Sequence, residues 1–292
     1  MNANLVAPEF ESRQRSRLTP NSNYLIPPAV PRYQRSESPV SKVLQPLDQL
    51  SQTRQHLYAT RILTGGRRAS SQISRYVFEG DQLRESPIRI GIFAGLSGDD
   101  KVGPEAVSTF LADLVALPHL GNNLRIYAYP VVSAVSYERQ TPSYRQSQYI
   151  INQIGCKMLS SETYQIEREI FAIAFDGIIT IRVEEEISDF KVGISDPHLH
   201  GALVRPILSS LESVFPNIED QDSGPRRSLT TGVGLKQRPL ELILRVPASG
   251  WSGLYALGLR IALHTAVDSY RSFLTQNERS SGLPVAGALQ TF

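Results

Sequence analysis

The stretch GIFAGLSGDDKVGPEA, Gly91 to Ala106, decides how the chain reads. Ile88 to Leu96 is apolar on both faces, as a strand buried inside a parallel sheet must be. Ser97-Gly98-Asp99-Asp100 then forms a polar turn, and a helix follows. Pro104 suits that helix's first turn and Glu105 its positive end, while Val107, Phe110, Leu111 and Leu114 make one apolar stripe. Strand, turn and helix in this order place the turn at the carboxyl end of a strand, where α/β sheets hold ligands. The turn carries no histidine or cysteine.

The same alternation continues on both sides. Residues 74–80 (SRYVFEG), 123–132 (NLRIYAYPVV), 176–183 (DGIITIRV) and 240–247 (LELILRVP) read as strands. Residues 160–175, 202–215 and 253–274 carry helical patterns, the first capped by a Ser-Ser pair. Strands alternating with helices predict one α/β domain with a mixed, mainly parallel sheet between helices. Four strand ends then carry the chemistry: Ser97–Asp100, Ser133–Ser136, Arg182–Glu186 and Arg245–Pro247.

Composition narrows what such a domain does. The 292 residues include 30 basic and 28 acidic side chains, a net charge of +2, which argues against a nucleic-acid-binding face. No run approaches the ~20 apolar residues of a membrane span, and the N-terminus lacks the apolar stretch of a signal peptide. One cysteine, Cys156, excludes an internal disulfide framework and fits the cytoplasm. Residues 1–50 hold seven prolines among polar residues and read as a disordered arm. Leu47, Leu50, Leu57 and Leu63 suggest a weak amphipathic helix, making 51–72 a linker with a short helix. The domain itself is expected over 73–276, with a loop at 218–239 and a flexible tail at 277–292.

Four blocks, in order, carry a resemblance: RYVFEG...PIRIGIFAGLSGDDKVGPEA, LRIYAYPVVSAVSYERQTPSYR, FDGIITIRVEEEISDF and LELILRVPAS. Together they resemble the zinc carboxypeptidase family, specifically its succinylglutamate desuccinylase/aspartoacylase-like branch, over roughly residues 73–275. The resemblance implies a zinc-carboxypeptidase-like sheet sandwiched by helices. It also implies that Ser97 stands where the first metal histidine belongs and Asp100 where the metal glutamate belongs. Arg182 takes the place of the second metal histidine, and Arg245 that of the glutamate that activates the zinc-bound water. In the substrate block, Ser133-Ala134 replaces an Asn-Pro pair, Pro142 an arginine, and Gln153 the arginine that clamps the substrate carboxylate.

Catalytic zinc requires three protein ligands and an open position. Of these residues only Asp100 can still ligate, and two guanidiniums would repel a dication. The frame of a hydrolase without its functional residues predicts a catalytically inactive binding or interaction module with no cofactor. Its ligand would be a small anion, carboxylate or phosphate, or a protein partner, held by Asp99, Asp100, Ser133, Arg182 and Arg245. Asp99, Asp100 or one of Glu184–Glu186 is expected to pair with the two arginines, Asp100 being preferred. The alternative is a divergent metal-dependent hydrolase that cleaves an amide next to a carboxylate, with zinc held by Asp100 and other ligands. The His198/His200 pair, which could ligate with Asp196, reads better as a solvated loop. His264 reads as a packed residue with one hydrogen bond.

Overall fold

In the computed structural model, described over residues 38–64, 71–139, 161–216, 218–220, 239–249 and 252–281, eight strands form one mixed sheet in the order β1-β2-β4-β3-β5-β8-β6-β7. The strands are β1 (Leu57–Thr64), β2 (Ser71–Glu79), β3 (Ile88–Phe93), β4 (Leu124–Tyr129), β5 (Gly177–Glu184), β6 (Lys191–Ile194), β7 (Glu219–Asp220) and β8 (Leu240–Pro247). The four central strands, β4, β3, β5 and β8, run parallel. Their carboxyl ends therefore lie along one border of the sheet, which brings the four sequence blocks together. The mixed, mainly parallel α/β domain read from the sequence is the fold observed.

Alternation along the strands separates two cores. Ile90 and Ile92 of β3, Ile126 of β4, Ile179 and Ile181 of β5, and Leu242 and Leu244 of β8 point to one face. That face is covered by α1 (Pro39–Thr53), α2 (Val102–Ala116), α3 (Ala134–Arg139), α5 (His200–Leu211) and α6 (Ser252–Ser281), all of which contribute side chains to its core. The opposite face carries Phe93, Tyr129 and Ile178, packed on Ile166 and Ile170 of α4 (Ser161–Ile173). Glu169 pins α4 to the sheet, accepting hydrogen bonds from Arg75 of β2 at 2.6 Å and from the buried Tyr129 hydroxyl at 2.7 Å. On the other face Asp113 of α2 accepts two bonds from the Arg260 guanidinium and lies 3.0 Å from His264 Nε2, tying α2 to α6. His264 also packs against Phe110.

The domain begins earlier than the sequence reading placed it. The N-terminal helix covers Pro39–Thr53, capped by the Ser38 side chain, and its Leu44 and Leu47 are buried in the main core. Residues 57–64 are strand rather than helix, pairing antiparallel with β2 in eight successive registers. Leu57 and Leu63, read as two points of a helical stripe, lie on one face of β1, Leu57 buried and Leu63 exposed. The expected boundary at residue 73 and the 51–72 linker are corrected accordingly. Glu79 donates its N–H to the His56 carbonyl, so the alternation of an antiparallel ladder turns the N–H and C=O groups of Leu57, Ala59, Arg61 and Leu63 away from β2. No described residue pairs with that outer side of β1. The expected loop at 218–239 contains β7, and its residues 221–238 lie outside the described ones, as do most of the arm, Cys156 and the 282–292 tail. No helix among the described residues is long and apolar enough to cross a membrane.

Candidate functional site

The strand-end turn after β3 is organised by Asp100. Its side chain is buried, with Oδ2 accepting the Gly95 N–H at 2.9 Å and Oδ1 accepting the Gly103 N–H at 2.8 Å. One carboxylate thus clasps the exit of β3 to the first turn of α2. Both glycines are required by this closeness. Gly95 has φ of +59°, and a Cβ there would lie 2.7 Å from the Pro130 carbonyl oxygen. A Cβ on Gly103 would lie 2.7 and 2.8 Å from the two Asp100 oxygens. Burial pushes the Asp100 carboxyl up to about 6, against the two amide hydrogen bonds that favour its charged form. The neighbouring charge that acts on it is Asp99, which raises it further.

Ser97 is buried in the same turn, where its carbonyl accepts the Asp100 N–H. After β4, Ser133 is buried, donates its N–H to the Gly95 carbonyl, and sends its hydroxyl to Glu162 of α4 at 3.2 Å. Glu162 is buried as well and accepts the Val135 N–H. The turn after β3 and the turn after β4 are therefore joined directly by backbone.

Arg182 and Arg245 are direct cross-strand partners on β5 and β8. Both stand on the α4-side face, since Ile179, Ile181, Leu242, Leu244 and Val246 occupy the other. Arg182 is buried, and Arg245 lies 3.7 Å from Glu184, two positions beyond Arg182 on β5. The preferred pairing of Asp100 with the arginines is corrected: a backbone amide engages each of its oxygens, and Glu184, among the carboxylates expected as partners, lies 3.7 Å from Arg245. The structure thus groups Ser97, Asp99, Asp100 and Ser133 in one cluster of turns, and Arg182 with Arg245 on the neighbouring strands. The structure also adds a residue that sequence reasoning missed. Lys191 of β6 pairs directly with Arg245, so three cations stand in one row across three strands. Alternation in the short run KVGI was the only sequence signal for that strand, and its register is not written in composition. Asp196 accepts the amide of His198 at 3.0 Å, capping a short turn that leads into α5. A groove of about 420 Å³ between α1 and the β1–β2 edge, lined by residues including Asp48, Arg61 and Tyr76, shares no residue with the strand-end site.

No family model matches the chain, and no curated protein matches it. Solved structures do. A metallo-carboxypeptidase from Burkholderia cenocepacia superposes with a TM-score of 0.60 at 14% identity, over 80% of this chain and 69% of its own. A metallo-carboxypeptidase from Pseudomonas aeruginosa, in complex with (2-guanidinoethylmercapto)succinic acid, gives 0.54 at 16% identity, over 77% and 68%. A succinylglutamate desuccinylase/aspartoacylase from Rhodobacter sphaeroides gives 0.50 at 14% identity, over 73% and 65%. The fold is the zinc-carboxypeptidase-like fold that the four blocks implied.

The expectation of no cofactor is overturned by these comparisons, because the fold is shared with structures described as metallo-carboxypeptidases. The four strand-end positions nevertheless do not fit zinc. Ser97 is neutral, Arg182 and Arg245 are cations, and amides engage both oxygens of Asp100. Among the described residues no three His, Cys, Asp or Glu side chains converge as a metal site. A metal carried by this chain is therefore held by other residues, and no chemical step is derived through one.

Proposed function

We propose that the chain is a non-catalytic binding or interaction module on a zinc-carboxypeptidase-like scaffold, with an anion-holding site at the carboxyl ends of β5 and β8. The observation that carries this reading is the clasp at Asp100. A carboxylate that ligates a metal or activates water needs a lone pair directed at the reacting centre. Asp100 is instead buried with a backbone amide on each oxygen, while Arg182 and Arg245 stand side by side on the neighbouring strands β5 and β8. Guanidiniums hold carboxylate or phosphate groups through forked hydrogen bonds and do not act as general bases at neutral pH. The arrangement suits holding an anion better than splitting an amide.

Hydrolysis assays on the full chain test this. A peptide with a free carboxyl terminus, N-succinylglutamate and N-acetylaspartate are each offered with zinc supplied, and metal content is measured on the same sample. The expected result is no turnover above the protein-free rate. Zinc-dependent turnover that a chelator abolishes would overturn the reading and establish a divergent metal-dependent hydrolase.

A further inference from the structure

Natural sheets guard an exposed edge with proline, lysine, a bulge or a very short strand, and β1 has none of these. Its sequence, LYATRILT, pairs with β2 over eight successive residues without a bulge, and Arg61 is its one charged side chain. Tyr58 and Leu63 stand exposed on it, at 49% and 63%. The peptide groups of Leu57, Ala59, Arg61 and Leu63 turn away from β2, and no described residue pairs with them.

That outer row complements itself in one register. Against an antiparallel second copy, the strand exchanges hydrogen bonds when odd-numbered residues face odd-numbered ones. With Leu57 facing Leu63, Ala59 faces Arg61, Tyr58 faces Ile62 and Thr60 faces Thr60, so all four outward residues find partners. Aromatic against β-branched and threonine against threonine are favourable cross-strand pairs. Sliding two residues one way sets Arg61 against Arg61, an unfavourable pair, and sliding two the other way carries Leu63 past the end of the partner strand. Charge favours the same register. On the face covered by α1, Tyr76 of β2, Ala59 of β1 and Arg61 of the second copy stand in one row, roughly 10 Å across. The Tyr76 hydroxyl donates to Asp48 of α1 at 2.7 Å, in the groove between α1 and this edge. Asp48 also has Arg61 of its own copy at 3.9 Å, and a carboxylate has acceptor sites for more than these two. Ala59 interposes only a methyl group, so the second copy's arginine can lie over it with the guanidinium towards Asp48.

We propose that β1 is a docking surface for a second copy of this chain, the two strands pairing antiparallel with Thr60 opposite Thr60 to make one continuous sheet. The contact is isologous: what each copy gives, it also receives.

The test is sedimentation velocity of the full chain over a concentration series, with thiol cross-linking to read the register. The wild type is expected to pass from monomer to dimer as concentration rises. Ala59→Pro removes an outward N–H and sets a ring against the incoming strand, while the β1–β2 ladder keeps all its donors. It should weaken the dimer at least about tenfold, leaving the circular dichroism of the dilute monomer unchanged. Arg61→Glu should weaken it too, since it brings a second carboxylate to Asp48. Thr60→Cys, in a Cys156→Ser background that removes the single native thiol, places two thiols opposite one another at a Cα separation of about 4.5 Å, which suits a disulfide. It should cross-link on mild oxidation, and Ile62→Cys, which faces Tyr58, should not. A dimer that Ala59→Pro and Arg61→Glu both leave at full strength, or Ile62→Cys cross-linking as readily as Thr60→Cys, would overturn the proposal. So would a wild type that stays monomeric to about 100 µM. Amide exchange at Ala59 and Arg61 would then tell whether another segment of the chain occupies the edge, with both amides protected, or whether it is left bare for a different protein.

Discussion

Replacing Asp100 by alanine removes the clasp between β3 and α2, and the structure fixes what that costs. Two backbone amides, Gly95 N–H at 2.9 Å and Gly103 N–H at 2.8 Å, lose their acceptor in a buried turn. Each orphaned buried donor costs about 1–3 kcal/mol, so the pair is worth about 2–6 kcal/mol. At neutral pH the wild type holds this carboxylate charged against its own burial, which places the expected loss in the lower half of that range, about 3 kcal/mol. The pH dependence has a definite sign. The folded value, about 6, lies above the ordinary 3.8, so on acidification the native state takes up the proton before the unfolded state does. Stability from this group is therefore lowest above pH 6 and rises as pH falls from about 6 towards 4. The wild type's advantage over Asp100→Ala should grow by about 1 kcal/mol between pH 7 and pH 5. Urea unfolding of both proteins at the two pH values, followed by far-ultraviolet circular dichroism, measures it. A loss within the ~0.5 kcal/mol of an ordinary surface substitution, or a gap that stays level or shrinks on acidification, would refute the clasp.

Two further substitutions probe neighbouring conclusions. Gly103→Ala should destabilise by about 1–3 kcal/mol despite alanine's better helix propensity, because the new methyl meets carboxylate oxygens that two amides hold in place. A rise in Tm would show that the turn can give way. Leu47→Ala should cost about 2–5 kcal/mol, since the side chain is fully buried in the main core, whereas exposed Gln49→Ala should stay within ~0.5 kcal/mol. Equal effects of the two in denaturant unfolding would put α1 outside the cooperative domain.

The central sheet was legible because burial leaves a mark in composition. LELILRVP sets Leu240, Leu242, Leu244 and Val246 on one face, and the strand observed there has the same limits. Amphipathic α2 was equally plain. The edges were not. LYATRILT shows β-branched residues and alternation, but its leucines fell in line with Leu47 and Leu50 and read as one helical stripe. At the site, the resemblance named Arg182 and Arg245 and the sheet placed them side by side, whereas Lys191 depends on the register of a four-residue strand. Register arises from three-dimensional pairing, and no local pattern encodes it. The role of Asp100 was misjudged for a related reason. Charge in the sequence suggested arginine partners, while the turn geometry supplied two closer donors from the backbone.

The two borders of the sheet are unequal, and this bears on how the molecule associates when crowded. Among the described residues one border is β1, eight residues long, with every second residue turning its peptide groups outward; the other is β7, described over Glu219–Asp220. Strand addition requires a ladder of peptide groups on each participant, and a dipeptide offers almost none. Two copies meeting through β1 would use up the long border described in each. A sheet with two long borders could add copies without end and grow a fibre, whereas a contact through one long border closes as a twofold pair.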